Sequence, residues 1–391
     1  MNTSKMFVRA IQRCQRPNFS LYRHLSSLKA SQSCLPAAYY RGGTSRAVFF
    51  NQDDLPKNRD EWAPIFRGVI GSPDPYGRQL DGLGGGISSL SKVCVVGKSA
   101  HPDADVDYTF AALGIKDTDV DFSSNCGNMV SAVGPYAVDS GLFAAHKDAD
   151  SAVVRIHNTN TGKIIHATFP VINGEAAAAG ELAIDGVAGT AAPIKLDFVN
   201  PAGSRTGKLL PTEAVKDIFD GVEATCIDVA NPCVFVKADD LGVSGTLTPD
   251  GITSTPGLLA RLDLIRRQAG AKMGLAESPE AVPGSVPKIG IVSAPKDDSR
   301  VDLVVRALSV GQPHKAVPIT VALALATAAR LPGSTVADVT SSNPVDPTGI
   351  TIGHASGSIL VGATFGADGG LDFATVFRTA RRLFEGRIFW K

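Results

Sequence analysis

Four polar loops in this 391-residue chain hold residue types able to do chemistry. The first is Arg41-Gly-Gly-Thr-Ser-Arg46. Its glycines let backbone approach a ligand closely. Thr44, Ser45 and Arg46 add two hydroxyls and a fork-shaped cation that suits a carboxylate. The second loop, Asp81 to Ser91, is Gly-rich and ends at Lys92. It misses the GxxxxGK[ST] spacing, and no strand is evident before its glycines, so a nucleotide cradle is not indicated. Lys92 opens the apolar run Val93–Val96. An ammonium beside an apolar strand is partly desolvated, which favours the neutral amine and makes Lys92 a candidate base. The competing role is a lysine snorkelling from a strand end.

The third loop is Ser123-Ser-Asn-Cys-Gly-Asn-Met129, which leads into a helical pattern. A thiolate at a helix start is stabilised by the positive end of the dipole, and the free N–H groups there bind anions. Cys126 is therefore a candidate for proton transfer, framed by Asn125, Gly127 and Asn128. Cys94, inside an apolar run, fits a structural cysteine instead. The fourth loop, Ser309-Val-Gly-Gln-Pro-His-Lys-Ala316, brings Ser309, Gln312, His314 and Lys315 to a second expected helix start. Asn231, before Pro232, offers a further amide or a simple Asx turn. His101, His146, His157 and His166 have no ligand spacing, and His354 reads as a turn residue. The six cysteines form no CxxC or Cys/His pattern, so neither zinc nor a disulfide scaffold is indicated. Asp105 and Asp107 read as a solvated or structural pair.

An internal repeat positions these loops. Ala47–Leu55 aligns with Cys233–Leu241, Ser91–Val96 with Pro287–Val292, and Val106–Leu113 with Val301–Leu308, in the same order. Each half reads as strand, insert with a helix, strand, strand, then an apolar helix. The inserted helices are expected at 58–70 and 257–273. The apolar helices are expected at Gly127–Asp139 and Lys315–Arg330. A helix apolar on all sides must be buried. The expected fold class is α+β: two similar lobes, each a curved sheet around a central helix, with a ligand cleft between them. The divisions are 36–200 and 201–391.

Composition narrows the function classes. The chain is 44% hydrophobic and 19% charged, enough to bury sizeable cores. Its formal charge is zero, but residues 1–35 hold six basic residues, several serines and no acid. That is the composition of a mitochondrial transit peptide, with a cytoplasmic protein carrying a basic tail as the alternative. The remainder has 32 basic against 38 acidic residues, which disfavours nucleic acid as a partner. The apolar run Ala316–Ala329 is too short for a membrane span and contains Pro318.

The loops together resemble one family. RGGTSR, GSPDPYGRQLDGLGGG, SSLSKV, DVDYTF, VDFSSNCGNMVSAVGPYAVDSG, GKLLPT, GQPHKAVPIT and GHASG are similar to segments of the PrpF/methylitaconate isomerase family, over about residues 40–385. The resemblance implies the diaminopimelate-epimerase-like fold, with the active site between two lobes. It also implies isomerisation of unsaturated di- or tricarboxylates such as aconitate, methylaconitate, methylitaconate or oxalomesaconate, without metal or cofactor. The family lysine matches Lys92 and the family cysteine matches Cys126. Epimerase relatives place one cysteine on each lobe, and the fourth loop has none.

Moving a C=C bond along a polycarboxylate removes an allylic proton and returns one at another carbon. That needs a base, an acid and a cradle for dienolate charge. Lys92 supplies the base, and Cys126 the acid or a positioning group. The N–H groups at 127–128 and the Gly84–Gly86 backbone, with Gly85 and Gly86 foremost, supply the cradle. Arg46, His314 and Lys315 counter the other carboxylates, with Thr44, Ser45, Asn231 and Ser309 beside them. The same groups permit cis–trans isomerisation. Two alternatives stand: a racemase of a small amino or hydroxy acid, and a non-catalytic polycarboxylate-binding protein. Homo-oligomerisation is left open.

Overall fold

The computed structural model describes residues 32–122, 126–296, 300–309 and 311–391. The first half contains β1 (Ser33–Gly42), β2 (Ser45–Asn51), β3 (Lys92–Lys98), β4 (Val106–Leu113), β5 (Val120–Asp121), β6 (Ser151–Asn158), β7 (Lys163–Ile172), β8 (Glu175–Ala176) and β9 (Ile194–Val199), with helices α1 (Trp62–Ile70) and α2 (Gly127–Asp139). The second half contains β10 (Asp217–Phe219), β11 (Val222–Asp228), β12 (Pro232–Lys237), β13 (Lys288–Ser293), β14 (Leu303–Ser309), β15 (Gln312–Pro313), β16 (Ile350–His354), β17 (Gly357–Phe365), β18 (Leu371–Arg378) and β19 (Ala380–Trp390), with α3 (Pro249–Ser254), α4 (Leu258–Lys272) and α5 (Ile319–Ala328).

Strand pairing repeats between the halves. In the first, β1–β2 is antiparallel, β2–β3 parallel, β3–β4 antiparallel, β4–β6 parallel, and β6–β7 and β7–β9 antiparallel. The second follows the same series through β11, β12, β13, β14, β16, β17 and β18. The last strands of the two series, β9 and β18, pair with each other and join the lobes into one sheet. The outer edge of β11 is covered by β10, and that of β1 by β19. The C-terminal strand thus returns to the first lobe, across the expected division at residue 200. The first strand also begins at Ser33, inside the expected 1–35 leader, because Ser33–Leu35 pair with Ile388–Trp390. Residues 1–31 lie outside the described residues.

Period-2 alternation splits each sheet into two faces. Ala47, Phe49, Cys94, Val96, Tyr108 and Phe110 face α2, while Val48, Phe50, Val93 and Val95 face α1. In the second half Cys233, Phe235, Val305 and Ala307 face α5, and Val234, Val236 and Ile289 face α4. The α2 and α5 faces merge into one apolar core that spans both lobes. Both helices are buried nearly all round, as their composition requires. The two meet at their N-terminal ends, where a Cβ on Gly127 would stand 2.7 Å from Ile319 Cδ1.

Helix α2 spans the expected residues, but α5 begins at Ile319 rather than Lys315. Pro318 disfavours helical geometry at Val317, and itself takes the N-cap with extended ψ. His314 and Lys315 therefore lie on an exposed loop before the helix and not in its first turn.

Candidate active site

Lys92 begins β3 on the α2-facing side, in register with Ala112 at the end of β4. Its Nζ lies 5.2 Å from the centroid of the Phe110 ring, a cation–π contact that holds a half-buried ammonium against an apolar wall. Cys126 caps α2 without a side-chain capping bond, and its carbonyl accepts from Met129 and Val130 N–H. Both border the apolar cluster that contains Cys94 and Phe110. Burial pushes the Cys94 thiol well above its ordinary value; the Cys126 sulfur adds to that shift and the Lys92 ammonium opposes it. Tyr108, whose hydroxyl is 3.9 Å from Cys94 Sγ, is likewise raised by burial first, then by Cys94 and Cys126. Cys94 is thus a sealed, protonated neighbour, in line with its expected structural part.

The first loop packs on the start of α2. Asn128 Nδ2 donates to Thr44 Oγ1 at 3.1 Å. A Cβ on Gly42 would stand 2.6 Å from Asn128 O, so only glycine lets the loop lie this close to the helix. Ser45 is buried on the same face as Ala47 and Phe49. Gly127 occupies the first helical position, where N–H groups have no intrahelical acceptor. Thr44, Ser45, Gly127 and Asn128 therefore gather beside Cys126. Asn125 lies outside the described residues.

Three other expectations are corrected by geometry. Arg46 stands on the opposite face of β2, over the Tyr39 ring at 5.8 Å on the α1 side, because it alternates with Ser45 and Ala47. Gly84 and Gly86 use their N–H groups within the chain, while Gly85 is exposed. Gly84 N–H donates to Ile70 O, and Gly86 N–H to Gln79 Oε1 at 2.9 Å. A Cβ on Gly85 would strike Leu90 Cδ1 at 2.4 Å. Gln79, which the sequence did not single out, organises this loop through further bonds with Ser72 and Ser91. His314 is turned into its own loop: its N–H donates to Ala307 O and its Nδ1 accepts from Ala316 N–H. Lys315 is exposed beside it.

On the second lobe, Lys288 opens β13 as Lys92 opens β3. Its neighbour is Cys233, a thiol pushed up to about 12 chiefly by burial, with Lys288 opposing. Asn231 precedes β12, and its carbonyl accepts from Cys233 Sγ. Ser309 ends β14, its backbone in register with Gln312. His354 ends β16, where burial lowers its pKa. Asp185 opposes that shift, while Arg378, Arg306 and His314 reinforce it.

The chain passes from β18 to β19 at Thr379, whose carbonyl accepts from Gly43 N–H and Arg41 Nη1. Arg378 thereby sits where the second lobe reaches the first loop. Arg378 closes a period-2 series with Ala374 and Val376, which puts a cation on the apolar face. Among the described residues no cluster of three His, Cys, Asp or Glu side chains could hold a metal ion. Asp105 pairs with Arg155, and Asp107 with His157 and Ser99, as structural acids.

Comparison with known proteins places this architecture. The family model described as PrpF protein matches residues 32–391. The chain belongs to the PrpF family. It is 39% identical to 3-methylitaconate isomerase of Eubacterium barkeri, over 92% of this chain and 98% of the relative. It is 38% identical to 2-methyl-aconitate isomerase of Cupriavidus necator, over 90% and 96%. A crystal structure of methylitaconate-delta-isomerase superposes with a TM-score of 0.85 at 38% identity, covering 92% of this chain and 96% of that one. The two-lobed α+β fold expected from the repeat is therefore the fold of this PrpF-family chain.

Proposed function

We propose that this PrpF-family protein is an isomerase that shifts a C=C bond, or its cis/trans geometry, in a small unsaturated di- or tricarboxylate of the aconitate, methylaconitate or methylitaconate kind. The enzyme class follows from its relatives, which are named as isomerases over nearly their whole length. The observation that carries the mechanism is the placement of Lys92 at the start of β3, against Phe110, on the sheet face covered by α2 and its N-cap residue Cys126. Lys92 takes the allylic proton from the carbon next to the double bond. The electron pair moves into the conjugated carboxylate as a dienolate. The N–H groups at the start of α2, with the Thr44–Asn128 pair beside them, meet the developing negative charge. Cys126 delivers a proton to the other end of the allylic system or positions the substrate. Rotation before reprotonation gives the cis–trans outcome. No step calls for a metal or cofactor.

Purified protein incubated with aconitate, methylaconitate, itaconate, citraconate and oxalomesaconate, followed by NMR, tests the activity. Conversion of at least one acid is expected. Exchange at the α-carbon of a saturated amino or hydroxy acid would instead indicate a racemase. Tight binding without turnover or exchange would indicate a binding protein.

The basic, acid-free N-terminus supports mitochondrial import. A reporter fused to residues 1–31 is expected to enter mitochondria; a cytosolic reporter would remove this localisation. No helix among the described residues is long and apolar enough to cross a membrane.

A further inference from the structure

Buried polar groups are nearly always hydrogen-bonded, so the exceptions carry information. Among the described residues, Thr320 Oγ1 and Arg378 Nε are sealed from solvent without a hydrogen-bond partner. Asp217 Oδ2 is a third such atom, but its carboxylate is already paired with Lys272 on the outer side of the second lobe. Thr320 lies in the first turn of α5, next to Ile319, which touches the start of α2. Arg378 ends β18, on the face that Ala374 and Val376 turn toward the shared core, and α5 packs on β18. One residue later the chain bonds to the first loop through Thr379. Asp185, which acts on His354, is exposed and accepts from Ser358 N–H.

Arg378 forms no ion pair among the described residues, and its one side-chain bond is a long contact of 3.4 Å from Nη1 to Phe377 O. Arg378 is half-buried with its Nε sealed, and a guanidinium withdrawn from water without a carboxylate costs stability. Burial alone depresses its pKa to about 10, which leaves it charged at neutral pH. An anion arriving from outside would complete it.

We propose that Arg378, with Thr320 in the first turn of α5, anchors a carboxylate of the substrate remote from the carbons that exchange protons. This rests on the polycarboxylate isomerase reading and adds a subsite to it. Lys92 and Cys126 act at one end of the ligand from the first lobe. Arg378 and the start of α5 hold the other end from the second. The anchor explains why the halves differ: proton-transfer groups stand in the first, an unpaired cation in the second. It also sets specificity, because a ligand lacking the remote carboxylate leaves Arg378 uncompensated.

The test is calorimetric binding of tricarballylate, a saturated tricarboxylate that cannot be isomerised, to the full chain and to its Arg378→Met, Arg378→Lys and Thr320→Val variants. Arg378→Met is expected to weaken binding about 10- to 100-fold, the range for a charge-assisted bond. Arg378→Lys should fall between it and the parent, and Thr320→Val should lose only a few-fold. Glutarate, with one carboxylate fewer, should bind weakly and lose much less in Arg378→Met. Thermal stability of ligand-free Arg378→Met should equal or exceed that of the parent, since a charge without a partner is removed. Unchanged tricarballylate affinity in Arg378→Met, or no tricarballylate binding to the parent, overturns the anchor. So does loss of the fold in both Arg378 variants, which would assign a structural part. Turnover of the unsaturated acids is read separately: an inactive parent whose tricarballylate binding still depends on Arg378 would sink the isomerase reading and leave the anchor standing.

Discussion

Lys92 and Lys288 hold corresponding strand starts, each beside a buried thiol, yet only Lys92 adjoins a helix that begins with a cysteine. Abstraction of an allylic proton is the demanding step, so Lys92→Ala is expected to lower kcat by about 10²–10⁴-fold. Cys126→Ala should cost less, because water can return a proton, and Lys288→Ala should leave turnover within a few-fold of the parent. Steady-state rates with circular dichroism as a fold control decide this; an equal loss at Lys288 would place the base in the wrong half. Residue types and neighbours in sequence single out Lys92 and Cys126 as candidates, and made the burial of Cys94 legible. Side-chain direction was less so. Arg46 was misplaced because its neighbours' identity does not say which face of β2 it takes, and Arg378 was passed over because its surroundings come from distant strands.

At the scale of elements, glycines set how closely loop and helix approach. Gly42→Ala drives a Cβ into the Asn128 carbonyl, which is backbone and cannot step aside. Gly127→Ala meets mainly the far end of the Ile319 side chain. Denaturant unfolding should therefore show Gly42→Ala losing about 1–3 kcal/mol, the range for overpacking. Gly127→Ala should lose less and be restored by Ile319→Val. Comparable losses, or no rescue, would contradict the packing described for the start of α2. His354 supplies a pH dependence. Its folded pKa lies below the unfolded value of about 6.5, so the unfolded chain binds more protons below that pH. Its contribution is complete above about 6.5 and is lost as pH falls through and below it. His354→Gln should flatten the acid limb of the stability profile between about pH 7 and 5; an unchanged limb would assign the dependence elsewhere. The bounds of α2 and α4 were readable from apolar spacing to within a residue; α1 begins at Trp62 rather than 58, after a separate 3-10 turn at Arg59–Glu61, and α5 at Ile319 because Pro318 acts on its predecessor through backbone sterics that spacing does not register.

For the whole molecule, the repeat in the sequence announced two lobes, and the matched strand series bears that out. What local pattern could not reveal is the long-range closure: β9 joining β18, and β19 crossing back to β1. These contacts join residues more than 150 positions apart, and nothing in either segment alone specifies its partner. Deletion of residues 1–31 should leave a folded, active protein, since β1 begins at Ser33. Deletion of residues 380–391 should yield insoluble or unfolded protein, because it strips the edge of β1 along its full length. Soluble expression and melting curves of the two truncations test the closure, and a stable protein lacking β19 would contradict it.

In the proposed mechanism Lys92 begins an allylic proton transfer that Cys126 or its surroundings complete. Proton NMR in D₂O, on whichever acid of the panel the parent converts, reads both events. The parent should incorporate solvent deuterium at the carbon that gains a proton, in step with movement of the double bond. Lys92→Ala should lose exchange and isomerisation together, by at least about 10²-fold, while Lys288→Ala keeps both. A folded Lys92→Ala variant that still exchanges and isomerises within tenfold of the parent would show that the base lies elsewhere.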